Sequence, residues 1–382
     1  MNTLLLFGGR PQPNAMLAAM LKPRRVIAIV SQDARYDVRD VLAEVVSEEV
    51  VVEKVPPYRI HDIQPAIERH LNEKVTAIGV TGAPLPMAIA AYDIGRQKNL
   101  PVYYVNTRQG EILDLVHVDQ KPLHVHISLS DFFSVYRLHR APLPPPPFAT
   151  TEKQRIKAAR LLGQQAVLAS EVLAWLREGK QADALEQRKR WPRRFNQAHW
   201  ELLSRLQELQ ILQVTLPHGR SMSAPHTPMT LHFPAKGERQ FLFGEWLEVY
   251  VTEEARATSL LDDVQQGIRF QVGDGYRELD FLGLYRGIPL LGSCKATRKP
   301  WRKSYLDELN AVADLMGGRY TWRFFFTDQT PPSPDDRNAY RSYQEFMAHA
   351  QRLRIRVITA HELPRWREVL KQELQSPTYP LI

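Results

Sequence analysis

The chain has 382 residues, 44% of them hydrophobic, and 50 Lys and Arg against 42 Asp and Glu, for a formal net charge of +8. That length predicts two or three domains with real cores, and the basic balance favours a polyanionic partner. One cysteine, Cys294, excludes internal disulfides and cysteine-based zinc sites and suits a reducing cytoplasm, while no run approaches the ~20 apolar residues of a membrane span.

Met1 to Phe7 lacks the basic and long apolar parts of a signal peptide. Instead Thr3 to Phe7 predicts a short strand, followed by the turn Gly8-Gly9-Arg10-Pro11-Gln12-Pro13, then Asn14 and an apolar helix through Leu21. Val26 to Val30 predicts a second strand ending in Ser31-Gln32-Asp33. Patterns then alternate: helix 36–46, strand 50–54, helix 62–72, strand 75–80, helix 85–98, strand 101–105. Continuous Val/Ile runs separated by amphipathic helices predict a parallel sheet covered on both faces. Such sheets bind ligands at the carboxyl ends of their strands. Three loops stand there: Gly8 to Asn14, Thr81 to Met87, and Tyr103 to Glu111. No G-x-G-x-x-G follows the first strand and no G-x-x-x-x-G-K-[ST] occurs, which speaks against dinucleotide and P-loop sites.

Leu143-Pro144-Pro145-Pro146-Pro147 predicts a stiff spacer. Thr151-Glu152-Lys153-Gln154 reads as a capping box opening a helix over 152–177, ending near Gly179. A second helix over 195–210 and short strand-like pieces over 211–233 predict a small winged-helix-like insert. Within it Arg188-Lys189-Arg190-Trp191-Pro192-Arg193-Arg194-Phe195 mixes cations with aromatics, as single-strand binders do. A solvated charged surface is the plainer reading and is preferred there.

Gly244 to Tyr250 has helical periodicity, with Glu245, Glu248 and Thr252 on one face. Next come two apolar strands, Glu278 to Leu284 and Pro289 to Lys295, joined by a turn at Tyr285-Arg286-Gly287-Ile288. Side chains alternate faces along a strand, so an antiparallel hairpin sets Asp280 and Lys295 on one face near one end. Buried charges are costly unless they are paired or hold a cation; a structural salt bridge is the bland alternative. Acidic helix, acidic strand, lysine strand is the order of a PD-(D/E)xK nuclease core, although Ser293 stands where that pattern has its second acid. Arg298-Lys299-Pro300-Trp301-Arg302-Lys303 follows directly and is predicted to hold a substrate backbone. Helix Leu306 to Met316, strand Arg319 to Thr327, helix 337–352, strand Ile355 to Thr359 and helix 361–374 complete the core.

Gly244 to Lys299, through GEWLE, ELD and SCK, resembles the nuclease domain of type III CRISPR ancillary effectors that join a CARF (CRISPR-associated Rossmann fold) sensor to a PD-(D/E)xK nuclease. The three N-terminal loops resemble CARF ligand loops over residues 1–140. The resemblance implies an α/β protein with a Rossmann-like sensor at 1–141, a proline linker and insert at 142–236, and a restriction-endonuclease-like domain at 237–382. It implies a homodimer that binds a cyclic oligoadenylate, the tetra-adenylate first, and cuts DNA and/or RNA with Mn2+ or Mg2+. Asp280, Lys295, Glu248 and Glu278 would be catalytic, with the metal on Glu248, Asp280 and the backbone carbonyl of Cys294. Gly9, Arg10, Gln12, Asn14, Ser31, Gly82, Ala83, Met87, Asn106, Thr107 and Arg108 would line the ligand.

The family's Gly-Gly-Thr-Lys stretch is replaced by Gly82-Ala83-Pro84-Leu85-Pro86, which leaves Arg10, Gln12 and Arg108 as candidates for the lost contact. With Ser293 non-acidic, the rival is a sensor whose degenerate nuclease binds nucleic acid without cutting. Arg193 or Arg194 with His199 has the spacing of the HEPN ribonuclease motif, but that domain is a long helical bundle, and His199 beside Trp200 reads as a core-edge histidine. Cytoplasmic residence without a membrane partner is expected.

Overall fold

The computed structural model describes residues 3–8, 11–34, 39, 42, 49–71, 74–107, 109–123, 125, 127–141, 147–178, 184–217 and 226–379. The chain divides into two compact units, Met1–Arg140 with Leu284–Ile288, and Ala141–Gly283 with Pro289–Ile382. Both are mixed α/β, and among the described residues no helix is long and apolar enough to cross a membrane.

The first unit runs β1 (Thr3–Gly8), α1 (Pro11–Leu21), β2 (Arg25–Ser31), β3 (Glu49–Val55), α2 (Ile60–Leu71), β4 (Val75–Gly82), α3 (Leu85–Gln97), β5 (Val102–Asn106), β6 (Glu111–Asp114), β7 (Asp119–Pro122) and α4 (Leu129–Val135). Its sheet has the order β3-β2-β1-β4-β5-β6-β7. The first five strands are parallel and the last two antiparallel. Alternation explains the unbroken apolar runs: Leu5, Phe7, Ile27 and Ile29 pack into one core, and Leu4, Leu6, Val26 and Ala28 into the other. The Rossmann-like expectation therefore holds. Helix α1 starts at Pro11 instead of Asn14, because proline is tolerated in a first turn where its missing N–H is not needed. Tyr103 and Tyr104 lie inside β5, within the strand expected over 101–105. The β6–β7 hairpin was illegible because Asp119–Pro122 is polar and wholly exposed. The helix expected over 36–46 lies outside the described residues except at Arg39 and Leu42, both helical.

The second unit runs α5 (Glu152–Gln164), α6 (Ala166–Leu176), β8 (Glu186–Arg190), α7 (Gln197–Glu208), β9 (Gln213–Thr215), β10 (Pro228–His232), α8 (Lys236–Gln240), a π-helical turn at Phe241–Glu245, α9 (Trp246–Arg256), β11 (Asp263–Val272), β12 (Gly275–Tyr285), β13 (Ile288–Lys295), α10 (Lys303–Leu315), β14 (Trp322–Thr327), α11 (Arg337–Arg352), β15 (Arg356–Ile358) and α12 (Trp366–Gln375). Three strands make a small antiparallel sheet, β8-β10-β9, and five make β11-β12-β13-β14-β15, whose last three are parallel. The Thr151 capping box forms as expected, but the helix it opens breaks at Gln165 (φ −117°, ψ 36°) into α5 and α6. Most of the proline spacer, 142–146, lies outside the described residues. The chain just beyond it is held by Glu238, which is fully buried and accepts the N–H groups of Ala149 and Thr150 (both 2.8 Å) and the Thr150 hydroxyl (2.7 Å).

Candidate active site

The β12–β13 hairpin turns at Arg286 and Gly287, both left-handed (φ 50° and 71°). That pair gives the two-residue turn whose twist matches its strands, so Asp280 comes to face the end of β13. Three donors converge on its Oδ2: the Cys294 N–H at 2.6 Å, the Lys295 ammonium at 3.1 Å and the Ser293 hydroxyl at 3.3 Å. Asp280 and Lys295 thus meet, as an antiparallel hairpin allows. Ser293 serves Asp280 as a donor.

The end of β13 is fixed from behind. Thr327 donates its hydroxyl to the Lys295 carbonyl (2.9 Å), and β14 is buried throughout. Tyr305, in the first turn of α10, stacks on Phe325 (6.5 Å, 19°) and presents its ring 5.6 Å from the Lys295 ammonium. Burial pulls the Lys295 pKa down, but the adjacent Asp280 carboxylate outweighs it and holds the group above its usual value. Lys295 is therefore a cation at neutral pH.

Glu248 comes from the first turn of α9, half-buried and within electrostatic reach of Asp280 and Lys295. Burial first, then the negative charges of Asp280 and Glu245, push its pKa well above the ordinary 4.5, against the pull of Lys295. Helix α9 is firmly seated. Tyr250 donates to the Leu363 carbonyl (2.7 Å), the Trp366 indole N–H donates to the Val251 carbonyl (3.1 Å), and Glu254 pairs with Arg160 and Arg367. The π-helical turn just before α9 carries Glu245, whose pKa burial also raises. Such turns widen the helix by one residue and recur at functional sites. Glu278 is exposed, at the outer part of β12, within electrostatic reach of Glu245 and Glu248. Thr252, expected on the Glu248 face, is buried.

Among the described residues no three His, Cys, Asp or Glu side chains form a ready-made metal cluster. Asp280 Oδ1 and the Glu248 carboxylate nevertheless accept no hydrogen bond from the described residues, since every donor at Asp280 goes to Oδ2. The donor-free Oδ1 of Asp280 and the Glu248 carboxylate, repelling each other, suit a hard divalent cation. Cys294 adds no thiolate: burial pushes its thiol well above 9.0.

At the carboxyl edge of the first sheet, Gly9, Arg10 and Arg108 lie outside the described residues. Ser31 accepts the Asp33 N–H (3.2 Å), Ala83 donates its N–H to the Val80 carbonyl (3.1 Å), and Asn106 holds Gln109 (2.6 Å) beside Thr107. Gly8 (φ 98°) pairs with Gly82 so closely that a Cβ on it would sit 1.8 Å from the Gly82 carbonyl oxygen. Three expected ligand contacts turn inward instead. Asn14 donates to the Gly8 carbonyl (3.3 Å), Gln12 accepts from the Tyr136 hydroxyl (3.2 Å), and Met87 is part of the core. All three sit in the opening turn of their helices, α1 and α3.

The basic runs are mostly committed to structure. Trp191 and Phe195 are buried against Trp175, and Lys189 donates to the Trp175 (3.0 Å) and Glu178 carbonyls, capping the C-terminal end of α6. Arg298 donates to the Ala174 carbonyl (2.8 Å), Lys303 pairs with Glu345 (3.0 Å) and Trp301 packs on Tyr343, leaving Lys299 and Arg302 exposed. His199 is buried, bonded to Asn196 (2.8 Å) and Glu171 (3.2 Å) and stacked on Phe195, which is the structural role its sequence setting suggested.

No family model and no curated protein match this chain. Solved structures do. Can2 from Sulfobacillus thermosulfidooxidans, in complex with cyclic tetra-adenylate, aligns with TM-score 0.71 at 18% identity over 97% of this chain and 99% of its own. Protein VC1899 from Vibrio cholerae aligns with TM-score 0.72 at 16% identity over 99% of both. At such identities the likeness is one of fold, and it spans both units.

Proposed function

We propose that the chain is a cyclic-oligoadenylate-responsive, metal-dependent nuclease of type III CRISPR defence. The observation that carries this is the Asp280–Lys295 pair, with Glu248 in electrostatic reach of it, on a fold that aligns end to end with a structure bound to cyclic tetra-adenylate. The metal would be Mn2+ or Mg2+, held by Glu248, Asp280 and the main-chain carbonyl of Cys294. When bound, such an ion acidifies water and offsets charge on a phosphodiester. Lys295, already protonated, stabilises negative charge on the phosphoryl oxygens and orients water; it does not take the proton. Lys299 and Arg302, exposed and close in sequence to Lys295, steer the nucleic-acid backbone. Glu278 sits at the rim.

At the sensor, a cyclic ligand with repeating phosphates is matched by a two-fold pair of chains. The stripe Leu85 (72% exposed), Ile89 (55%) and Tyr92 (37%) along α3 offers an apolar face for that pairing, directly after the Gly82 loop. Helix N-termini and loop amides suit the phosphates.

The test is cleavage of labelled single- and double-stranded DNA and RNA with Mn2+ or Mg2+, with and without cyclic tetra-adenylate. Cutting should require the metal and rise with the activator. Cutting that persists in EDTA overturns the metal reading. One observation favours a second reading, a sensor that binds nucleic acid without cutting: Ser293 donates to Asp280 where a further carboxylate would stand. Tight binding with no cleavage under any metal would select it.

A further inference from the structure

We propose that the turn between β12 and β13 is the lever through which ligand bound at the carboxyl edge of the first sheet reaches Asp280 and Lys295; this rests on the sensor–nuclease reading above. Leu284–Ile288 belongs to the first unit, although the strands it joins carry the catalytic pair in the second. Its backbone fits closely there. A Cβ on Gly287 would lie 3.1 Å from Gln12 Nε2 and 3.2 Å from the Met16 thioether, so the turn presses on the opening turns of α1. A Cβ on Gly110 (φ 70°) would lie 2.9 Å from the Arg286 guanidinium.

Both supports continue candidate ligand loops. Helix α1 follows the Gly8 loop, and Gly110 closes the Asn106–Gln109 turn. Gln12 is therefore a linker in the mechanical sense: its Oε1 is held by Tyr136, while its Nε2, buried and without a hydrogen-bond acceptor among the described residues, faces Gly287.

The other end of the lever is equally stiff. A two-residue turn leaves no slack, and the strands beyond it are laddered into one sheet. The Cys294 N–H, the Ser293 hydroxyl and the Lys295 ammonium all meet one oxygen of Asp280. A small shift of β13 against β12 changes all three contacts together. Ligand can drive such a shift only by binding one hairpin position more tightly than the other, and the contacts of Arg286 and Gly287 with α1 and Gly110 provide that difference.

Two variants of the full chain test this: Arg286→Ala, and insertion of Gly-Gly after Gly287, which slackens the turn without touching the catalytic residues. Calorimetry, cleavage assays and amide hydrogen exchange would be run with cyclic tetra-adenylate. In the wild type, ligand should change exchange at Tyr285–Ile288 and at the Cys294 amide. Both variants should still bind, with Kd moved by no more than the coupling that is lost, and keep unstimulated cleavage, yet lose roughly tenfold of stimulation, a usual size for allosteric coupling, along with the exchange response at Cys294. Wild-type-like stimulation and exchange in both variants overturns the lever and leaves the sensor reading intact. No binding or stimulation of the wild type overturns both. If Arg286→Ala misfolds, the insertion alone decides.

Discussion

At the scale of single residues, Asp280 is where the geometry concentrates. Asp280→Asn keeps the shape and removes the charge that holds Lys295. We expect cleavage to fall on the order of a hundredfold or more, as when one preorganised electrostatic group is lost, with cyclic tetra-adenylate binding by calorimetry unchanged. Glu248→Ala should cost far more activity than Glu278→Ala, because Glu278 is exposed at the rim. Equal losses would mean that α9 is not part of the site. Ser293→Ala removes one of three donors, about 0.5–1.5 kcal/mol of stability, and should leave most of the cutting.

Glu248 also yields a sign-defined stability test. Its folded pKa is raised, so the folded state holds the proton more tightly than the unfolded chain. Its stabilising contribution is complete below the ordinary 4.5 and is lost as pH rises through the folded value. Glu248→Gln should therefore raise the melting temperature at pH 8 and lose that gain below pH 4.5. Adding Mn2+ should raise the melting temperature of the wild type by mass action and leave Asp280→Asn unmoved.

At the scale of elements, packing decides what the sequence could disclose. The parallel strands, the hairpin and α11 were legible because their periodicity is long and unmixed. Asp280 and Lys295 were legible because alternation lets them share a face once the two strands pair antiparallel across a short turn. The inward turn of Gln12, Asn14 and Met87 was not, because a Gly/Pro-rich loop read from sequence does not show where its helix begins. Nor was burial of Trp191 and Phe195, since a basic run masks the aromatic cluster that absorbs it. The π-helical turn and the break at Gln165 carry no proline, and a lone glycine at or near each, Gly244 and Gly163, is too weak a signal to mark them. Helix α9, which presents Glu248, lies so close to α5 that a Cβ on Gly163 would come within 2.3 Å of the Tyr250 ring. Gly163→Ala should cost about 1–3 kcal/mol, as overpacking usually does, read as a lowered melting midpoint. An unchanged midpoint would show that the α5–α9 packing yields.

At the scale of the whole molecule, a net charge of +8 predicts that substrate affinity falls steeply with salt. Activator affinity should fall with salt too, and Arg10→Ala or Arg108→Ala should weaken it without altering unstimulated cleavage. The membership of Leu284–Ile288 in the first unit has a consequence for inheritance. A recombination that exchanges residues 1–140 for another sensor brings a foreign surface to Gly287 and Arg286. The sensor is thus a discontinuous module. A working chimaera needs two crossover regions, one at the spacer and one around the hairpin turn, and exchange of the first alone should yield a chain that folds, binds its ligand and does not answer to it.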